Sequence, residues 1–185
     1  MKGKKTFKFG LVVGLFCFVL YGQVKGQKYE LTSGKVTFFS EAPMENITAE
    51  NTAIKGLFNA TGETAFLVPI NRFQFEKDLM KEHFNEKYME SGKYPNGTFK
   101  GIFSGFDLKK PGIQRVKASG VLTLHNVSQK VEVPGEVQIK GDQLIMDATF
   151  TVRLKDYKIK IPQLLWQNIA EEVEVTVHFE FKKIK

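Results

Sequence analysis

Ten consecutive residues near the C-terminal end of this chain alternate without a break. Val173, Val175, Val177, Phe179 and Phe181 fall on one side, and Glu172, Glu174, Thr176, His178 and Glu180 on the other. Only an extended strand sends successive side chains to opposite sides, so this segment is a strand with one apolar and one wet face. Leu144, Met146, Ala148, Phe150, Val152 and Leu154 repeat the pattern opposite Asp147, Thr149, Thr151 and Arg153. Such strands are not stable singly. Their apolar faces need a second layer, or a sheet closed on itself.

Weaker alternation predicts strands at 35–40, 53–60, 64–70, 97–108, 114–125 and 130–140. Their inward pairs are Val36/Phe38, Phe66/Val68, Phe99/Phe103, Leu122/Leu124 and Val137/Ile139. On 97–108, Ile102 and Phe106 fall on the face opposite Phe99 and Phe103. The connectors are short and turn-like: Asn59-Ala60-Thr61-Gly62, Lys110-Pro111-Gly112, Asn126-Val127-Ser128-Gln129 and Lys140-Gly141-Asp142-Gln143. They carry the residue types that let a chain reverse, and short links imply antiparallel neighbours. About eight antiparallel strands must hide their edges. A closed barrel does so, with a two-sheet sandwich as the alternative.

One segment departs from the period of two. Residues 76–90 read EKDLMKEHFNEKYME, in which Met80, Phe84 and Tyr88 recur every fourth residue with Leu79 and His83 beside them. This predicts a single amphipathic helix of three to four turns, with Asp78 capping it or favouring its first turn, and Gly92 and Pro95 stopping it. Residues 162–170, which include Trp166, read as irregular. The fold class is therefore all-β with one amphipathic helix.

The N-terminal 26 residues have a different character. Lys2, Lys4, Lys5 and Lys8 precede an uncharged apolar run over 10–21, and GQVKG follows with the small residue Gly26. This is the layout of a secretory signal peptide cleaved near Gly26, and it predicts a periplasmic or secreted protein. The run of about a dozen residues is shorter than the ~20 that span a bilayer. The division expected is 1–26 signal peptide and 27–185 a single β-barrel domain. The leader holds five of the 27 basic residues and none of the 20 acidic ones, so a formal charge of +7 falls to about +2 in the mature chain. That small excess does not call for a polyanionic partner, and no nucleic acid is expected. The leader also holds the chain's one cysteine, Cys17. Phe16 before it is too bulky for a lipidated cysteine, so the mature protein is expected to be untethered and free of thiol chemistry.

The rest of the chain offers little catalytic equipment. His83, His125 and His178 share no metal-ligand spacing, and no nucleophile or phosphate-loop motif occurs. Glu172 and Glu174 sit on one outward strand face, where solvated charge is the ordinary state. The four Asn-x-Ser/Thr triplets, at Asn46, Asn59, Asn96 and Asn126, suit turns as well as glycan. No enzyme is expected and no cofactor is required. An eight-stranded barrel can be filled by side chains or can hold one small ligand, and periodicity alone leaves both open.

The middle and end of the chain resemble the YceI-like family. The resemblance rests on Phe75, Leu79-Met80, His83-Phe84, Lys93-Tyr94-Pro95 and Thr98-Phe99-Lys100-Gly101. It continues in GVLTLHNVSQK at 120–130, Val133-Pro134-Gly135, FTVRLKDYKI at 150–159 and the closing strand at 172–181. It covers roughly residues 64–183. It places a first strand at 29–36, which here lacks the Trp and His common in the family, and Asn126 and Lys158 stand where glycine is common. The resemblance implies an extended eight-stranded antiparallel lipocalin-like barrel that binds polyisoprenoid or a similar amphiphilic lipid such as a prenyl quinone. It also implies an extracytoplasmic carrier or store without catalytic residues. On that expectation Phe66, Phe84, Phe99, Phe103, Leu122, Leu124, Met146, Phe150, Trp166, Val175 and Phe179 form the ligand site. Partners would be a hydrophobic lipid and transient membrane contact, and an outward stripe such as Ile102 and Phe106 is either a homodimer interface or part of the core. The alternative is a packed-core stress-response or interaction protein with no small ligand.

Overall fold

The computed structural model describes residues 27–41, 46–161 and 170–184. The leader, Cys17 and Trp166 lie outside them. Ten strands occur among the described residues: β1 (Lys28–Ser40), β2 (Ile47–Asn51), β3 (Lys55–Asn59), β4 (Glu63–Pro69), β5 (Gln74–Phe75), β6 (Asn96–Ser104), β7 (Gly112–Leu124), β8 (Val127–Lys140), β9 (Gln143–Arg153) and β10 (Glu172–Lys183). All pairings are antiparallel, in the order β10-β9-β8-β7-β6-β4-β3-β1, and β1 returns to pair with β10. Eight strands thus close a barrel, as the alternation and turn chemistry predict.

β2 and β5 complete two of those eight. β1 pairs with β3 at Lys28–Glu30 and with β2 at Val36–Ser40, so β2 and β3 act as halves of one strand interrupted at 52–54. β4 and β5 are likewise interrupted by the single turn Ile70–Arg72. Asn51, fully buried, braces both interruptions: its Nδ2 donates to the Pro69 carbonyl at 2.8 Å and its Oδ1 accepts from the Ala53 N–H at 2.8 Å. Both lone-pair and donor needs of a buried amide are thereby met.

β1 is longer than the alternation at 35–40 predicts, for a visible reason. Its pairing with β10 slips between Leu31 and Ser33, so Thr32 is an extra residue, with its Oγ1 donating to the Glu180 carbonyl at 3.1 Å. A bulge reverses the phase of everything beyond it. Tyr29 and Leu31 point inward before it, and Gly34, Val36 and Phe38 after it. A strict period-two reading therefore loses the strand at the bulge. β2 was not predicted at all, since its five residues carry only Ala49 as a buried apolar side chain.

The helix predicted over 76–90 is shorter. α1 spans Asp78–His83 and passes into a wider i→i+5 turn at Phe84–Tyr88. Asp78 lies in the first turn but caps nothing, because Lys77 is the N-cap and no side-chain cap bond forms. A second correction concerns Phe106. It does not share the outer face with Ile102, which is 53 % exposed. β6 ends at Ser104, Gly105 takes φ +89°, and Phe106 turns back to meet Phe58 edge-on at 5.3 Å. Asn126 and Lys158, where glycine is common in the family resembled, both have left-handed backbone, with φ of +59° and +55°. Asn tolerates that region, whereas Lys adopts it at a cost.

Candidate functional site

Inward residues on the long strands differ in how much surface they keep. Along β10, Phe181 and Phe179 are buried, at 1 % and 5 % exposure. Val177, Val175 and Val173, on the same face, are only half-buried. Along β7, Val116 and Ala118 are buried and Leu122 and Leu124 are not. An inward apolar side chain that keeps accessible surface faces a hollow, because a packed barrel interior leaves no such surface. The barrel therefore has a filled end and a hollow end.

The filled end lies where β3 turns into β4 and β8 into β9. Phe58 sits at its centre, 2 % exposed, with Tyr29 at 5.6 Å, Phe103 at 6.0 Å and Phe181 at 6.1 Å between ring centroids. Leu144 and Val137 belong to the same buried cluster. The hollow end contains a cavity of about 720 Å³. That lies within the ~300–1,000 Å³ of small-molecule sites. Its floor is Phe66 stacked on Phe179 at 4.5 Å. Phe99 lies along the wall above the facing glycines Gly101 and Gly120. A Cβ at either would stand 2.7–2.8 Å from the Phe99 Cζ, so this ring position requires both glycines.

α1 and the turn after it close one side of the hollow end. Phe84 stacks on Phe38 at 5.4 Å and meets Phe73 at 5.5 Å and Phe75 at 5.0 Å. The half-buried Met80 and the buried Tyr88 extend this apolar surface, and burial raises the pKa of the Tyr88 phenol, keeping it neutral. On this side Lys77, His83, Ser40 and Tyr88 supply polar atoms to a mostly apolar lining. The loop that follows is fastened to the neighbouring β7–β8 turn: His125 donates its Nε2–H to Glu90 Oε2 at 2.8 Å, and its ring meets Tyr94 edge-on.

Ten of the eleven residues assigned to a ligand site line this one cavity: Phe66, Phe84, Phe99, Phe103, Leu122, Leu124, Met146, Phe150, Val175 and Phe179. Trp166 lies outside the described residues. The sequence reading left out Phe73 and Phe75, which line the cavity as well. β5 is two residues long, too short for alternation to register. Among the described residues, no three His, Asp, Glu or Cys side chains cluster as a metal site. The third histidine is a surface group with a partner. His178 donates Nδ1–H to Asp147 Oδ1 at 2.6 Å on the outer wall, and that bond raises its pKa above the usual histidine value. Of the four Asn triplets, Asn59 is clearly a turn device, its Oδ1 accepting from the N–H groups of Thr61 and Glu63 and from the Thr61 hydroxyl.

A sequence model of the YceI-like domain matches residues 17–181. No curated protein sequence matches significantly. Solved structures do. A polyisoprenoid binding domain from Saccharophagus degradans, implicated in plant cell wall breakdown, aligns at TM-score 0.73 and 17 % identity, over 84 % of this chain and 98 % of its own. Burkholderia cenocepacia BcnA aligns at TM-score 0.68 and 16 % identity, over 80 % and 95 %. The Campylobacter jejuni YCEI protein aligns at TM-score 0.55 and 14 % identity, over 100 % and 99 %. At such identities these likenesses establish the fold.

Proposed function

The chain belongs to the YceI-like family, and from that premise we propose that it binds a polyisoprenoid or another long-chain amphiphilic lipid inside its barrel and carries or stores it outside the cytoplasm. The observation that carries the reading is the cavity of about 720 Å³, lined mostly by apolar side chains. A hydrocarbon chain would lie among Phe99, Leu122, Phe150 and Val175. Its polar head would sit near Lys77 and His83, where the α1 end of the lining offers charge-capable atoms. Burying roughly 400 Å² of chain surface, at about 25 cal/mol per Å², is worth about 10 kcal/mol before ordering costs. The similar Saccharophagus degradans domain carries polyisoprenoid binding in its name, which agrees with a hydrocarbon guest. The basic and apolar leader supports export. A packed-core protein without a ligand fits only the filled end of the barrel. The role proposed is that of a carrier, in keeping with the YceI-like family.

Native mass spectrometry of protein purified gently from its host tests this. The expected result is a mass increment matching a prenyl or long-chain lipid. A ligand-free mass, together with no uptake of added prenyl quinone or fatty acid, overturns the reading.

A further inference from the structure

The barrel wall is not paired throughout. β8 is bonded to β7 along its whole length, from Val127 opposite Leu124 to Ile139 opposite Gly112. β9 is bonded to β10 as far as Arg153. Between β8 and β9, however, the ladder runs only from Lys140 opposite Gln143 to Gly135 opposite Ala148. Beyond it, among the described residues, neither strand pairs with the other over 127–134 and 149–153. On β9 the stretch without a β8 partner is about 17 Å long, its residues 149–153 rising ~3.3 Å each. The two edges meet again only where the Gln129 Nε2 donates to the Asp156 carbonyl at 2.7 Å, in the turn Leu154–Tyr157.

Pro134 explains why the ladder stops there. The Asp147 carbonyl oxygen lies 2.6 Å from where a Cβ on Gly135 would stand, so it points at β8. Alternation then turns the backbone of Glu136, and of Pro134 two residues on, towards β9. The next donor owed to β9 is therefore the N–H that proline lacks. The cavity responds to the gap. Besides the inward Val131, Val133 and Phe150, its lining takes in Glu136 and Asp147, which are exposed residues of the outer face, at the foot of the unpaired stretch.

The geometry points to a lateral portal: the slit between β8 and β9 is the route by which a hydrocarbon chain slides sideways into the cavity, while the α1 end receives the polar head. This rests on the lipid-binding reading above. The slit suits the task because the side chains along its inner edges, Val131, Val133 and Phe150, are apolar. A long chain passing broadside through a slit need not thread end-on past the aromatic cluster at Phe84.

The test bridges the slit without touching the lining. Glu132→Cys and Thr151→Cys would stand opposite each other had the ladder continued, and both side chains are exposed. In a Cys17→Ser background they are joined by a short bis-maleimide. The control, Val121→Cys with Lys130→Cys, bridges the intact β7–β8 ladder. Uptake and release of cis-parinaric acid are followed by stopped-flow fluorescence. The portal predicts that bridging the slit slows both rates by about tenfold or more with affinity unchanged, and that the control bridge does neither. Unchanged rates in the bridged slit, with affinity intact, overturn the portal and leave lipid binding standing. Failure of the unmodified protein to bind the probe overturns lipid binding and the portal with it. Pro134→Val tests the same point without a cross-link. Regained amide protection along 127–134 should come with slower uptake, and protection with unaltered uptake speaks against the portal.

Discussion

The two ends of this barrel are built from the same strands, with the same alternation, and differ in what fills them. On β10 the inward series reads Val173, Val175, Val177, Phe179, Phe181 from the hollow end to the filled one. β10 stays paired with β9 along that series, but side-chain size changes, and exposure falls to 1 % at Phe181. An eight-stranded barrel is just wide enough for large side chains to meet across it. Rings at Phe58, Phe103 and Phe181 do so. Valines at the same radius leave the space open. One closed sheet can thus hold its stability at one end and its ligand at the other, and each can change with little effect on the other.

The sharpest way to break that comparison is truncation at both ends. Phe58→Ala removes a ring in contact with other rings on several sides, and should lower unfolding free energy by about 3–5 kcal/mol. Phe150→Ala enlarges a hollow that already exists. It should cost under about 1.5 kcal/mol, because a side chain that is already half-exposed loses less on truncation. Urea denaturation measures both, and lipid-probe titration should rank them in reverse, with Phe150→Ala the weaker binder. Equal losses of stability would mean that the hollow end is as tightly packed as the filled one.

Enlargement gives a smaller and opposite contrast. Val137→Phe forces carbon atoms into a site that is 1 % exposed, and overpacking of this kind costs about 1–3 kcal/mol. Val175→Phe places the same atoms in the cavity, where there is room. Its unfolding midpoint should stay within error or rise slightly, and probe affinity should fall about tenfold, roughly 1.4 kcal/mol, as lumen volume is lost. A Val175→Phe protein that binds normally would place the ligand elsewhere.

Much of this was legible in the sequence, and the parts that were not have physical causes. Strands β9 and β10 alternate cleanly because each has one apolar and one wet face; β6 to β8 alternate more weakly, yet their bounds also fall within a few residues of those expected. The N-terminal strands were less readable. β1 changes phase at Thr32, and β2 to β5 are two strands each broken in the middle. The inward positions of Phe99, Leu122, Phe150 and Val175 followed from alternation, whereas the hollow among them did not. Alternation reports which way a side chain points, and a cavity depends on how far it reaches. The descending sizes on β10 carried that information. The slit beside β8 was also written in the chain, at Pro134, but which neighbour its missing N–H faces depends on the register with β9.

The smallest effect comes from outside the wall, level with the boundary between the two ends. His178 on β10 donates to Asp147 on β9 at 2.6 Å, with Glu180 3.5 Å from its other nitrogen. Lys35 faces it from β1, but is itself paired with Glu50 at 3.4 Å. The bond to Asp147 raises the His178 pKa above its ordinary 6.5. A group that binds its proton more tightly folded than unfolded adds stability that is fully present below the unfolded pKa and fades as pH rises through the folded one. The protein should therefore lose a little stability between about pH 6 and pH 8. His178 keeps 41 % of its side chain exposed, so solvent screening holds the change below about 1 kcal/mol. Urea midpoints at pH 5.5 and 8.5 measure it, and Asp147→Asn should flatten the dependence. Probe affinity should not follow that slope, because His178 points away from the lumen. A parallel loss of affinity would show that the outer wall and the cavity are coupled, and that the two ends of the barrel do not act independently.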